Sequence, residues 1–365
     1  MRIKLEKRAA PSRLMVVLTP IASVLLTMLL GVIIFDAMGI DGFRAVQDIF
    51  LTPILATYKI QDVLVKAAPL IIIALGLSVG NRANVWNIGA EGQYIIGALA
   101  GAGAAMAFGQ TGGFFVIIVV IAAGIAGGMA WAAAPAFLRN RYGVNEILSS
   151  LMLTYVALQV LSYLIGGPWK DPNGRNFPQT APLADGQVLP VYEIAGVPFH
   201  FGVVVALILP FLFWFLMSRS VLGFQIRVVG SAPHAARHGG FSQRQTVWLS
   251  MLIGGGAAGL AGVLELTGSL KAINLGFPSG YGFTAIIVAF LGRLHPIGVL
   301  IAGVVLAITY VGGQVAQTTV HIPNSTAGIF QAMMLFFILA SDILVRYRIR
   351  IVGNKDAAQA APAGE

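Results

Sequence analysis

Residues 84–101 read NVWNIGAEGQYIIGALAG, and in them a carboxylate and an amide stand directly before a run apolar enough to enter a bilayer. Glu91 and Gln93 lead at once into Tyr94, Ile95 and Ile96, with glycines on both sides. Why such groups lie at the threshold of a hydrophobic span, and on which side of it, depends on the chain around them. Hydrophobic residues make up 57% of the 365 and charged residues only 10%, with a mean hydropathy of +0.84. A soluble domain carries about a quarter charged residues, so this chain has too little polar surface to coat a water-soluble core. The apolar residues fall in blocks of roughly twenty, the length a helix needs to cross hydrocarbon, and they lack the alternation of barrel strands. The expectation is an all-α, polytopic helical membrane protein.

Spans are expected near 14–35, 63–81, 88–108, 114–138, 146–166, 200–217, 246–266, 281–291, 297–317 and 326–345. The eighth is too short to cross alone, so its ends must lie in protein or in a water-filled cavity. Lysine and arginine in short loops mark the cytoplasmic side. With the N-terminus inside, that side collects Arg2, Lys4, Lys7, Arg8 and Arg13, then Arg82, then Arg139 and Arg141. It also collects Arg219, Arg227, Arg237 and Arg244, then Arg293, and finally Arg346, Arg348, Arg350 and Lys355. Only Arg44, Lys59, Lys66, Lys170, Arg175 and Lys271 fall outside or just within an outer span end. Ten spans with both termini cytoplasmic satisfy this alternation. The division expected is a basic N-terminus over 1–13, a transmembrane domain over 14–345, and a cytoplasmic tail over 346–365, disordered after Asn354. A periplasmic loop at 167–199 and a cytoplasmic loop at 218–245 interrupt the spans, and residues 41–61 read as an interfacial helix plus loop.

The same inventory excludes other chemistries. There is no cysteine for a disulfide or thiolate site, and the five histidines match no zinc spacing such as H-E-x-x-H. The net charge of +9 is spread along one membrane side, which fits lipid headgroups rather than nucleic acid. The first apolar block follows a basic stretch as a signal peptide would. It is too long for a signal core and lacks an A-x-A site, so an uncleaved first span is expected.

Three features bear on mechanism. The cytoplasmic loop SRSVLGFQIRVVGSAPHAARHGGFSQRQ, 218–245, holds four arginines and no acidic residue. Within it Ser231 is an N-cap candidate, Pro233 suits the first turn, and Gly239 and Gly240 stop a short helix. This helix either anchors to headgroups or couples to a cytosolic partner whose groove closes on small Ala235 and Ala236 beside Arg237. Next, no G-x-x-x-x-G-K occurs, so the chain has no phosphate-cradling loop of its own. Nor is there an acidic residue deep in a span, as ion-coupled carriers need: Glu91, Glu146 and Glu265 all fall within about a turn of a span end. Finally, NIGAEGQYIIGALAG from Asn87 and NLGFPSGYGFTAIIVAFLG from Asn274 open alike and start on opposite sides by the charge count. That is the arrangement of an inverted repeat with broken helices around a substrate path.

These stretches carry a resemblance. NIGAEGQ at 87–93, GVNEILSSLMLTYVA at 143–157, GPW and QTAPL within 167–183, GFQIRVVGSAPHAARHGG at 223–240 and GYGFTAIIVAFLGRLHPIGVLIAGVVLA at 280–307 occur in this order and spacing. The chain resembles permease subunits of bacterial ABC importers of simple sugars and nucleosides, related to ribose and branched-chain amino acid permeases. NIGAEGQ replaces the Asp-Leu-Ser-Val motif of the ribose branch, so it is more similar to the nucleoside branch served by basic-membrane-lipoprotein-type binding proteins. The resemblance implies a multi-pass subunit of the bacterial inner membrane that is not itself catalytic and binds no cofactor. It further implies an ABC ATPase that binds ATP and Mg, a second permease subunit in a heterodimer, and a periplasmic or lipoprotein substrate-binding protein. An ion-coupled carrier acting alone, an ABC permease for another small polar solute such as an amino acid, and a non-transporting scaffold are the alternatives.

Under this reading Ser231, Pro233, Ala235, Ala236, Arg237, Gly239 and Gly240 couple to the ATPase. A carboxylate at the N-terminus of the third span is favoured by up to about 1 kcal/mol, whereas at mid-bilayer an acidic group costs roughly 3 kcal/mol. Asn87, Glu91 and Gln93 therefore either fix that helix start on the cytoplasmic side or line the inner mouth of the path. Asn145 and Glu146 share the ambiguity, with a second cytosolic contact beside Arg139 and Arg141 as the other role. A nucleoside offers an aromatic face and hydroxyls, which makes Tyr155, Asn274, Tyr281 and Phe283 lining candidates.

Overall fold

The computed structural model describes residues 2–7, 13–174, 177–194, 196–323 and 325–352. The chain begins with strand β1 (Arg2–Lys7), α1 (Arg13–Ala37), α2 (Gly42–Phe50), α3 (Thr52–Leu55), α4 (Thr57–Arg82) and α5 (Ala90–Ala107). It continues through α6 (Phe114–Tyr142), α7 (Glu146–Gly166), the strands β2 (Val191–Ile194) and β3 (Val197–His200), and α8 (Phe201–Arg219). Then come α9 (Val221–Ser231), α10 (Pro233–His238), α11 (Gln243–Glu265), α12 (Tyr281–Leu291), α13 (Pro296–Thr319), α14 (Thr326–Arg346) and β4 (Tyr347–Val352).

Each of the ten expected spans is a helix, and 281–291 has the bounds read from sequence. Seven helices of the described residues, α1, α4, α6, α7, α8, α11 and α13, are long and apolar enough to cross a membrane. The other three differ: α5 spends its first turn on Glu91 and Gln93 and then runs through glycine and alanine, α12 has 11 residues, and α14 is an apolar helix of 21 residues.

The chain divides into two units, Met1–Val46 with Gly328–Glu365, and Gln47–Ala327. In the first, β1 and β4 pair antiparallel from Arg2↔Val352 to Lys7↔Tyr347, which sets the two ends side by side. Within it Phe35 of α1 and Phe330 of α14 have ring centroids 5.6 Å apart. Thr19, Ser23 and Thr27 each donate to the carbonyl four residues earlier at 2.8 Å, which satisfies hydroxyls that an apolar surrounding would otherwise penalise. The disorder expected after Asn354 lies outside the described residues.

In the second unit α11 packs against α4, α5 and α6, and the middle of α4, Ala67 to Gly80, is buried on every side. The approach is close because glycines face one another. A Cβ on Gly259 would collide with the Gly124 carbonyl oxygen and stand 3.0 Å from Gly128 Cα. Small residues at such a crossing let backbones approach and gain dispersion contact, the main attraction between helices in lipid. Gly259→Ala is expected to cost about 1–3 kcal/mol through overpacking, read as a lowered melting temperature in detergent. An unchanged midpoint would contradict this packing.

The 167–199 loop, in its described part, is folded rather than a plain hydrated connection. β2 and β3 form a hairpin, Thr180 N donates to Ile273 O at 2.9 Å, and Leu189 N to Thr267 O at 2.9 Å. The Gln187 amide donates to the carbonyls of Ala105, Gly109 and Thr111 at 3.1, 2.9 and 3.0 Å.

Candidate functional site

After α4 ends at Arg82, Asn84 adopts a positive φ of 56° and turns the chain back. Residues 85–88 have no regular secondary structure. Trp86 N donates to Glu146 Oε1 at 3.3 Å, and Ile88 N to Ser150 Oγ at 3.2 Å, which ties this returning segment to the start of α7. Asn87 and Gln93 then exchange amide bonds, Asn87 Nδ2 to Gln93 Oε1 at 2.8 Å and Gln93 Nε2 to Asn87 Oδ1 at 3.0 Å. Both amides are buried, and the reciprocal pair gives each amide nitrogen and each amide oxygen a partner, which offsets the cost of burying them.

Glu91, 2% exposed, does not cap its own helix: the N-cap Gly89 has no side-chain bond and Glu91 reaches elsewhere. Its carboxylate accepts Gly280 N–H at 2.9 Å and Gly282 N–H at 2.6 Å, at the start of α12. The helix-start role expected for Glu91 is thus served on a helix nearly two hundred residues away. The first turns of α5 and α12 meet so closely that a Cβ on Gly282 would strike the Glu91 backbone nitrogen. Unpaired N–H groups and the positive end of the α12 dipole attract the carboxylate.

The meeting point also sets Glu91 apart from the turn that follows α12. α12 rises about 16 Å over its 11 residues from Glu91 to a tight turn where Gly292 and Gly298 touch. Arg82, at the end of α4, donates from Nε to Leu294 O at 3.1 Å in that turn. Burial, together with the Arg82 guanidinium, pushes the pKa of His295 in the same turn below the ordinary histidine value. Glu91 therefore sits about 16 Å along α12 from the basic end. The seven residues 83–89, able to span at most about 25 Å, bridge that height.

Around this junction lies an aromatic cluster. Tyr94 stacks on Phe277 at 4.8 Å and meets Tyr281 edge-on at 6.0 Å, and Tyr281 meets Tyr310 at 5.6 Å. The hydroxyls of Thr284 and Tyr310 are 2.9 Å apart, and Tyr310 donates to Ser279 O at 3.2 Å. Tyr94, Phe277 and Tyr310 were not picked out from the sequence; the glycines flanking GFPSGYG are the one signal that pointed near them.

The structure buries Asn87, Glu91, Gln93 and Tyr281 about the start of α5 and joins Glu146 to the adjoining segment through Trp86 N, and the other candidates lie apart. Asn145 caps α7 by accepting from Ile147 N at 2.8 Å, and Glu146 pairs with Arg139. Asn274 turns the chain by accepting from Gly276 N at 2.8 Å. Phe283 is 40% exposed on α12 and Tyr155 is exposed on α7.

On the 218–245 loop, α10 begins with Pro233 and ends before Gly239, as the stop signals required. Its N-cap is Ala232, not Ser231. Ser231 instead finishes α9, its hydroxyl donating back to Arg227 O at 2.8 Å. The two small residues part company: Ala235 is exposed whereas Ala236 is buried, so only one of them faces outward. A cavity of about 550 Å³ opens here, lined by Val229, Pro233, His234, Arg237, Phe241 and Arg244 among others.

Broken helices meeting at a buried point inside a bundle of membrane-length helices are the build of a solute-transporting membrane protein. The chain belongs to the family described as the branched-chain amino acid transport system / permease component, whose model matches residues 59–339. It is 36% identical to a glucose ABC transporter permease protein of Haloferax volcanii, over 95% of this chain and 94% of that one. It is 29% identical to a guanosine ABC transporter permease protein of Bacillus subtilis, over 94% and 97% of the two chains. A second guanosine ABC transporter permease protein of that organism is also 29% identical, over 65% of this chain and 76% of its own length. No solved structure gives a significant match.

Proposed function

We propose that this chain is the permease subunit of an ATP-driven importer that carries nucleosides or simple sugars across the plasma membrane. The observation that carries the reading is the near end-to-end match to glucose and guanosine ABC permeases. Two guanosine permeases from one organism both resemble it, which supports a heterodimer with a second permease. An ATPase supplies the hydrolysis and holds ATP and Mg, and an external binding protein delivers solute to the folded outer loop. The basic ends and the 218–245 loop face the cytoplasm, with α10 as the element gripped by the ATPase. Support for that contact is the cavity of about 550 Å³ bordered by the exposed Arg237 and Arg244.

Within the bundle the α5–α12 junction is the moving part. Glu91 holds the two broken-helix starts together, so that ATPase closure transmitted through α10, α9 and α11 displaces them as one body. The reading is tested by affinity purification of the tagged chain with its gene neighbours. An ATPase and a second permease are expected to co-purify in fixed ratio. Recovery of this chain alone as a stable, transport-competent monomer would overturn it.

A further inference from the structure

We propose that the outward stripe of α7, centred on Gln159 and bracketed by Tyr155 and Tyr163, is a wall of the solute path that recognises the uncharged, hydroxyl-bearing ring common to sugars and nucleosides. The proposal rests on the permease reading above and goes on to name where and what the path recognises.

Tyr155, Gln159 and Tyr163 lie four residues apart and so share one face of the helix. All three are exposed, Tyr155 at 57% and Tyr163 at 72%. The opposite face, with Ser150, Thr154, Ala157, Leu161 and Ile165, is buried, and α7 packs chiefly against α5 and α6. Gln159 lies about 20 Å from the start of α7, within the stretch of the helix that crosses hydrocarbon. Its amide makes no hydrogen bond among the described residues. In lipid such an amide would cost several kcal/mol, and polar groups inside spans face bundle interiors or water-filled cavities.

On the outward face of α8, Leu207, Ile208, Phe211, Leu212 and Phe215 are exposed and all apolar, whereas on α7 Gln159 and the two tyrosines interrupt the exposed Met152 and Val156. The α7 stripe therefore borders water, in a path closed on its far side by the second permease. Its chemistry fits one solute class. A primary amide donates and accepts at once, as adjacent hydroxyls require, and tyrosines offer apolar ring faces with hydroxyl tips. The rungs from Tyr155 to Tyr163 span about 12 Å, enough for a nucleoside. Between Glu146 and Lys170 the sequence carries no charge, so nothing on this wall would balance an amino acid zwitterion or a phosphate.

The absence of cysteine from this chain makes an introduced thiol its single one. Gln159→Cys and, as a lipid-facing control, Leu212→Cys are introduced into the complete importer in membrane vesicles and treated with the membrane-impermeant reagent methanethiosulfonate ethyltrimethylammonium. Gln159→Cys is expected to react at least about tenfold faster than the control, and saturating guanosine or glucose, whichever the importer carries, is expected to slow it. In the same complex Gln159→Leu is expected to raise the KM for uptake by about tenfold, as loss of a hydrogen bond to solute does. Gln159→Asn should recover part of the loss. Labelling no faster than Leu212→Cys, or an unchanged KM in Gln159→Leu, overturns the proposal. Neither result touches the importer reading, which fails only if the unsubstituted complex shows no ATP-driven uptake.

Discussion

Glu91→Ala is expected to reduce uptake to less than about a tenth of the wild-type rate while leaving the chain inserted in the membrane. The substitution strips Gly280 N–H and Gly282 N–H of their acceptor in a place water does not reach. Each orphaned donor costs about 1–3 kcal/mol, the bonds lost are charge-assisted and stronger than neutral ones, and the α12 dipole loses its counter-charge. A total of about 3–5 kcal/mol is the scale for breaking a buried charged interaction. The surrounding helices keep their glycine-to-glycine contacts, so the loss falls on the α12 start and not on the whole bundle. Glu91→Gln preserves the shape and one acceptor oxygen and is expected to fall between the two. Hydrogen exchange over residues 274–291 reads the effect directly: faster exchange at Gly280 and Gly282 in Glu91→Ala is the expected result. Unchanged protection there would remove the clamp from the mechanism.

Ala235→Arg is expected to abolish uptake without lowering the melting temperature of the chain. Ala235 is exposed on α10, so an added guanidinium meets no protein in the isolated subunit. It would block a partner closing on that face, and the tagged variant should no longer retrieve the ATPase. The neighbouring Ala236→Arg is a different experiment. That side chain is 2% exposed, and burying a guanidinium there costs several kcal/mol, so misfolding rather than uncoupling is expected. Charge reversal at Arg237, exposed on the same short helix, should weaken retrieval without affecting insertion. Normal uptake in Ala235→Arg would show that α10 is not gripped.

The helices were legible because hydrophobic block length and loop charge are local signals. Asn145 capping α7 and Gly143 closing α6 in a left-handed conformation are written in GVNE, and the bounds of α12 in the glycines at 280 and 292. Glu91 was less legible. Its position beside a helix start is local, but its partners are the backbone N–H groups of glycines 189 and 191 residues further on, and backbone groups leave no signature in sequence. Ser231 was misplaced because a serine suits both the end of one helix and the cap of the next. The VLGFQIRVVGS run forms α9 and takes Ser231 as its last residue, so Ala232 takes the cap instead. The α7 stripe escaped notice for another reason. Tyr155 stood out alone as an aromatic, whereas the meaning of Gln159 depends on knowing which face of α7 the neighbouring helices leave open.

The decisive measurement is concentrative uptake in proteoliposomes that contain this chain, its second permease and its ATPase, supplied with binding protein and radiolabelled guanosine or glucose. Accumulation that requires ATP, stops when the nucleotide-site lysine of the ATPase is replaced, and ignores proton and sodium gradients is the expected outcome. Accumulation driven by an ion gradient with this chain alone would contradict it.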